Sequence, residues 1–188
     1  MANIILLYGP IAVGKLTIAK LLATKLGYKL THNHSINDLV SDIFDRNSIE
    51  YARVVEKMRL IFLSEIAENN IDTVTTHCFS YNFVNKATGV SDPEYVVNLY
   101  DRLTQAGATV CVVHLIADNE TLYSRVSNIS RKEYKKLIDE EEMKRISNTN
   151  DWQTSAPIDG QLVLDTTHLT AQQCLEQIIT HFNLDQTV

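Results

Sequence analysis

The chain has 188 residues, 45% hydrophobic and 21% charged, with 23 acidic against 17 basic side chains and a formal net charge of −6. That profile describes one globular domain (1–188) able to bury a single sizeable core, and the acidic balance disfavours nucleic acid as a partner. The N-terminal apolar run is far too short to span a bilayer and lacks the flanks of a secretion signal, so no membrane association is expected.

That run, residues 4–8, reads as a strand. It leads into Gly9-Pro10-Ile11-Ala12-Val13-Gly14-Lys15-Leu16-Thr17, and a helical pattern follows with apolar residues at Leu16, Ala19, Leu22, Ala23 and Leu26. Strand, glycine loop and helix is the order a phosphate-binding loop requires. The glycines allow backbone angles that a Cβ forbids, and the turn aims several N–H groups inward. The helix start adds its own unsatisfied N–H groups, and Lys15 brings an ammonium to the β/γ-phosphates. Gly9, Ala12, Val13, Gly14, Lys15, Leu16 and Thr17 are therefore the candidate nucleotide-binding residues. The hydroxyl that usually follows the lysine and ligates Mg²⁺ is replaced by Leu16 and comes one position later, at Thr17. Two readings stay open: a decayed metal site, or Mg²⁺ held mainly by phosphates, water and other side chains, with Thr17 acting through a water.

Gly27 marks the end of the first helix, residues 28–32 form a second strand candidate, and Ser35 is placed to cap a helix over 36–44. After a polar break at 45–48 the next helix spans about 50–69, with Val54, Met58, Ile61, Phe62 and Ile66 as its buried face. Residues 71–76 are rich in β-branched side chains and predict a strand ending at His77-Cys78-Phe79. Beyond a polar loop at 80–90, Ser91 with Glu94 spaces a capping box, while Asp92 with Pro93 at N1 is an equally good frame. That helix runs to about 106 and stops at Gly107. The near-continuous apolar run 108–117 predicts a strand covered on both faces. Asp118 caps a helix to about 126, and a further helix runs from about 130 to 147 with the acid run 139–142 on a solvated face. Trp152 reads as a packing anchor, residues 161–165 as the last strand, and Thr170 as the cap of a helix to about 182. Cys78, Cys111 and Cys174 lack any CxxC spacing and read as reduced thiols of a cytoplasmic protein.

Strands alternating with helices predict an α/β fold with a parallel sheet and right-handed crossovers, which binds ligands at the carboxyl ends of its strands. That rule selects 9–17, 32–35, 77–79, Asp118 and 165–167. Arg125 and Arg131 flank a helix break, where a hinged segment could close over phosphates; the plain alternative is two solvated charges. His32, Asn33 and His34 face the acceptor side of such a site, and His34 or His32 titrates in the right range for a base. His77 closes the third strand, and Arg59 could reach an anionic acceptor. A metal site on His32, His34 and His77, or plain structural roles for each, are the competing readings. Asp118 reads mainly as a cap. Asp165 reads as a strand-end carboxylate or, with Thr166 and Thr167, as the start of a base-contacting loop.

These residues together resemble the small P-loop kinases, the group of adenylate, shikimate and gluconate kinases and their bacterial-type relatives. The resemblance covers nearly the whole chain and is specific for the superfamily rather than for a substrate. It implies a three-layer P-loop NTPase fold with a five-stranded parallel sheet, a small helical lid at about 125–148, and an acceptor region after the second strand. Lys15 matches the phosphate lysine, Thr17 the loop threonine, Arg125 and Arg131 the lid arginines, and residues 165–167 the loop that contacts adenine. Adenylate kinases, like this chain at Leu16, lack a hydroxyl directly after the lysine. Shikimate kinases carry Asp-x-Asp where this chain reads His32-Asn33-His34, and a glycine triplet where it reads Thr76-His77-Cys78, which argues against shikimate as substrate. The implied function is an ATP- and Mg²⁺-dependent phosphotransferase with Lys15, Arg125, Arg131 and His34 as catalytic residues. Its acceptor would be a small metabolite, nucleoside or nucleotide bound by His32, Asn33, His34, Arg59 and His77. The alternative is a nucleotide-binding regulatory module or slow NTPase, which Leu16 and the missing Asp-x-Asp favour.

Overall fold

The first apolar run becomes β1 (Asn3–Gly9), and Ile4 to Tyr8 are fully buried in the computed structural model, which describes residues 1–128 and 137–184. They are buried on both faces because β1 is the central strand. It pairs in parallel with β3 (Thr73–Cys78) on one side and β4 (Thr109–Ile116) on the other. β2 (Lys29–Thr31) and β5 (Leu162–Asp165) form the edges of a five-stranded, all-parallel sheet in the order β2-β3-β1-β4-β5. Side chains alternate across β1. Ile5 and Leu7 enter the layer of α1 (Lys15–Leu26) and α7 (Ala171–Phe182), while Ile4, Leu6 and Tyr8 enter that of α3 (Ile49–Glu68) and α4 (Asp92–Gln105). The three-layer arrangement and the two-sided burial of β4 are as the apolar pattern predicts.

Local signals set several element ends. Ser91 and Glu94 form the capping box of α4, placing Pro93 in its first turn, and Thr170 does the same for α7 with Gln173. Asp118 caps α5 (Asn119–Val126) through its Oδ1, 2.7 Å from the Thr121 N–H. Trp152 is buried beside Met143 in the α1/α7 layer, as an anchor should be.

Three expectations need correction. Ser35 is not the cap of α2 (Asn33–Ser41). The helix starts three residues earlier than that placement requires, His32 is the cap residue, and Ser35 Oγ accepts from the His32 N–H at 3.4 Å. The buried face of α3 is also shifted: Ile61 and Phe62 are 53% and 47% exposed, while Val55, Leu63, Ile66 and Ala67 are buried. The reason is that α3 serves two neighbours. Its first half packs on α2 through Val54, Val55 and Met58, and its second half on the sheet through Leu63, Ile66 and Ala67, so no single stripe runs its length. Finally, α6 is Glu140–Ser147, capped by Asp139, so residues 137–139 are not helical. The acid run is the first turn of a helix, where carboxylates face the positive end of its dipole.

Beneath the carboxyl end of β1 lies a buried histidine. His114 of β4 is fully buried, stacks face to face on Tyr8 with ring centroids 4.4 Å apart, and has Nδ1 2.9 Å from Ser155 Oγ. Burial holds its pKa down at about 4, with Lys15 adding to the effect. The folded value lies below the ordinary 6.5, so the unfolded chain binds more protons between these limits and stability falls as pH drops through that window. Chemical denaturation should show about 2.5 kcal/mol less stability at pH 4.5 than at pH 7.5 from this group. His114→Phe should flatten the slope, and an unchanged slope would contradict the assignment.

Candidate active site

The loop between β1 and α1 is shaped by close backbone packing. Gly9 has φ +144°, and a Cβ there would sit 2.1 Å from the Leu115 carbonyl oxygen of β4. Gly14 turns the chain into α1 at φ +103°, where a Cβ would make only an ordinary contact with Ile18 Cδ1 at 3.8 Å. Between them Ala12 adopts φ 67°, a left-handed conformation that costs a non-glycine residue about 1 kcal/mol, with its side chain buried against the α1/α7 core. Lys15 arches back over this turn, and its Nζ donates to Gly9 O at 2.8 Å and Pro10 O at 2.5 Å. The result is a closed turn at the mouth of a helix, with an ammonium across it.

Residues Ala12 to Thr17 open on a cavity of about 730 Å³, large enough for a nucleotide together with a small second ligand. One end is built by Arg125 and the β5–α7 connection. The Arg125 guanidinium donates to Thr166 Oγ1 at 2.9 Å and Thr166 O at 2.7 Å, and Thr166 Oγ1 in turn donates to Ile116 O and Val13 O, at 3.1 and 3.3 Å. Arg125 thus ties the last strand end to the phosphate loop. Of residues 165–167 it is Thr166 that lines the cavity; Asp165 accepts from the Thr167 N–H at 2.8 Å, and Thr167 Oγ1 from the Asp118 N–H at 3.0 Å, so both shape the loop. Leu169 and Ala171 complete this end, giving an apolar pocket beside a guanidinium. Arg131 lies outside the described residues.

The other end is built where β2 meets α2. The Asn33 N–H donates to Thr76 Oγ1 of β3 at 3.1 Å, and His32, Asn33 and His34 all line the cavity, with the two imidazole rings 6.2 Å apart. Thr76 and Cys78 face the same space; the strand-end rule takes in Cys78 within 77–79, whereas Thr76 and Lys20 of α1 lie outside the residues it selects. Strand alternation would have found Thr76: if the loop side of β3 carries Thr76 and Cys78, His77 must face the other layer.

There His77 is, 8% exposed, its ring stacked on Tyr95 at 4.7 Å and its Nε2 3.7 Å from Asp92 Oδ1. Burial pushes its pKa below the usual range against the pull of Asp92, so it is neutral at pH 7. Arg59 of α3 lies on the same side and donates to Asn33 O at 3.2 Å and Asn37 Oδ1 at 2.5 Å. Both residues line a separate space of only about 20 Å³, divided from the main cavity by His32, Asn33 and Thr76, which line both. Arg59 and His77 thus line the inner space and not the main cavity. Nor do the three histidines form a metal site: among the described residues no three His, Cys, Asp or Glu side chains gather as ligands.

Residues 5–147, from β1 through the phosphate loop to the end of α6, match the AAA domain family, and the chain belongs to it. No curated protein matches the sequence significantly. Among solved structures the chain resembles a provisionally assigned kinase from Chloroflexus aurantiacus, with 20% identity, a TM-score of 0.67, and coverage of 96% of this chain and 98% of the other. A sugar kinase from Janibacter sp. HTCC2649 gives 16% identity, a TM-score of 0.65, and coverage of 98% and 96%. Shikimate kinase from Aquifex aeolicus gives 15%, 0.54, and 96% of each chain. At such identities the likeness establishes a shared P-loop fold over nearly the full length of each chain.

The two loop glycines separate steric from conformational demands. Gly9→Ala drives a Cβ into backbone that cannot yield, so it should destabilise the protein by more than about 2 kcal/mol. Gly14→Ala meets only conformational strain, about 1 kcal/mol. Equal losses in denaturant titrations would contradict this reading of the loop.

Proposed function

We propose that the protein is a kinase that moves the γ-phosphoryl group of ATP to a small metabolite, nucleoside or nucleotide. One observation carries the reading: the phosphate loop with Lys15 and the His32-Asn33-His34 turn line the same cavity, which supplies a triphosphate site and an acceptor space in one enclosure. In this reading the loop N–H groups and Lys15 hold the β/γ-phosphates, exchanging Gly9 O and Pro10 O for phosphate oxygens. The adenine lies at the Arg125–Thr166 end between the guanidinium and Leu169. The acceptor oxygen approaches from the Asn33 side and attacks phosphorus as the bond to the β-phosphate oxygen breaks. His34 is placed to take a proton from a hydroxyl acceptor, and Arg131 is the remaining candidate to meet developing charge.

The donor set fits Mg²⁺ that arrives with the nucleotide. Thr17 brings the loop hydroxyl to the cavity, and neither Asp nor Glu lines it among the described residues, so phosphate oxygens and water supply most of the ligands. The ion when bound neutralises phosphate charge. Three free cysteines, and no described helix long and apolar enough to cross a membrane, suit a cytoplasmic setting where ATP is abundant.

Leu16 also suits a second reading, a nucleotide-binding module that hydrolyses slowly and has no acceptor. ADP release with pooled metabolites against ATP alone separates the two: stimulation by one pool supports the kinase, and equal rates with every pool support the module. Lys15→Ala should retain the fold by circular dichroism and lose nucleotide-dependent activity by a factor of about 100 or more. An unchanged rate would remove the phosphate loop from the mechanism.

A further inference from the structure

Helix α3 carries surface that its own fold leaves uncovered. Five of the twelve large apolar side chains exposed among the described residues, Leu39, Ile43, Ile49, Ile61 and Phe62, fall within residues 39–62, so the uncovered apolar surface concentrates on α2 and α3. The charges around Ile61 are ordered. Arg53, Lys57, Ile61 and Glu65 follow at intervals of four and Glu68 three further on, so they form one stripe, and all five are exposed. The basic pair precedes Ile61 and the acidic pair follows it. Within a single helix this order is unfavourable. Glu65 and Glu68 stand in the last turn, where the dipole favours cations, and no basic residue stands there. Three positions apart, they also repel each other. Lys57 has neither Asp nor Glu three or four positions away on either side. Among the described residues none of the four charged side chains enters an ion pair.

We propose that this stripe is the interface of a homodimer, in which α3 pairs antiparallel with α3 of a second copy about a two-fold axis at Ile61. In that arrangement, positions equally far before and after Ile61 face each other. Lys57 meets Glu65 of the partner subunit, Arg53 comes beside Glu68 of the partner subunit, and symmetry repeats both pairs. Ile61 packs on its own symmetry mate, with Phe62 at its flank. The charge order that is unfavourable along one helix is thereby complementary between two. A parallel pairing would instead set Lys57 against Lys57 and Glu65 against Glu65, so the stripe selects the antiparallel form. The apolar centre supplies most of the affinity, and the exposed ion pairs fix orientation. With 20 residues α3 is about 30 Å long. Paired along that length, with exposed α2 side chains at the rim, it buries about 1,200 Å² in total, the lower end for a specific interface.

The experiment is sedimentation equilibrium on the full chain from about 1 to 200 µM, which should show a reversible dimer with a Kd of about 1–100 µM. Ile61→Glu should leave a monomer whose circular dichroism is unchanged, since the side chain is exposed. Lys57→Glu and Glu65→Lys should each weaken association about tenfold or more, because each sets two like-charged pairs face to face. The double variant Lys57→Glu/Glu65→Lys should recover a Kd within about threefold of the original. An equimolar mixture of the two single variants should form a heterodimer, each chain offering the charge that the other lacks. A chain that stays monomeric at every concentration, an Ile61→Glu variant that still dimerises, or a double variant as weak as the single ones overturns the proposal.

Discussion

The contact on which the site depends is backbone against backbone: the Leu115 carbonyl of β4 lies where a side chain at position 9 would go. β1 is held on both edges by parallel neighbours, and at its end the chain must turn without a Cβ. That constraint fixes where the phosphate loop leaves the sheet, and therefore where Lys15 and the start of α1 stand. The same strand end brings Gly9 opposite Cys78 of β3, one residue beyond the level of His77. The acceptor-side residues are thus referenced to the loop through the sheet register rather than through flexible connections.

Two smaller ties complete the frame. Arg125 and Thr166 join the last strand end to the loop carbonyl of Val13, and the Asn33–Thr76 hydrogen bond joins the start of α2 to β3. Each end of the cavity is consequently anchored on a different side of the central strand β1. Site geometry of this kind is rigid where chemistry needs precision.

How much of this could be read from the sequence follows from the range of the interactions concerned. The phosphate loop, the caps at Ser91, Asp118 and Thr170, and the doubly covered β4 depend on neighbours a few residues away, and the pattern shows them plainly. The acceptor side depends on contacts between distant segments. His32 rather than Ser35 begins α2 because Thr76, 43 residues on, receives the Asn33 N–H. The buried stripe of α3 shifts phase because two partners claim its two halves. His77 reads as a strand-end residue and Arg59 as a helix residue able to reach an anion, but which layer each occupies depends on tertiary packing. Alternation along β3 answers it for His77; for Arg59 only the packing of α2 against α3 does.

The central claim is that a triphosphate binds in the turn from Gly9 to Thr17 with its terminal phosphate directed at Asn33 and His34. The most direct measurement is a crystal structure with a non-hydrolysable ATP analogue. The account predicts Lys15 Nζ moved from Gly9 O and Pro10 O onto the β/γ-phosphates, the base beside Arg125 and Thr166, and the γ-phosphate facing Asn33. Phosphates bound outside the loop, or a base lodged against His32 and Asn33, would contradict it.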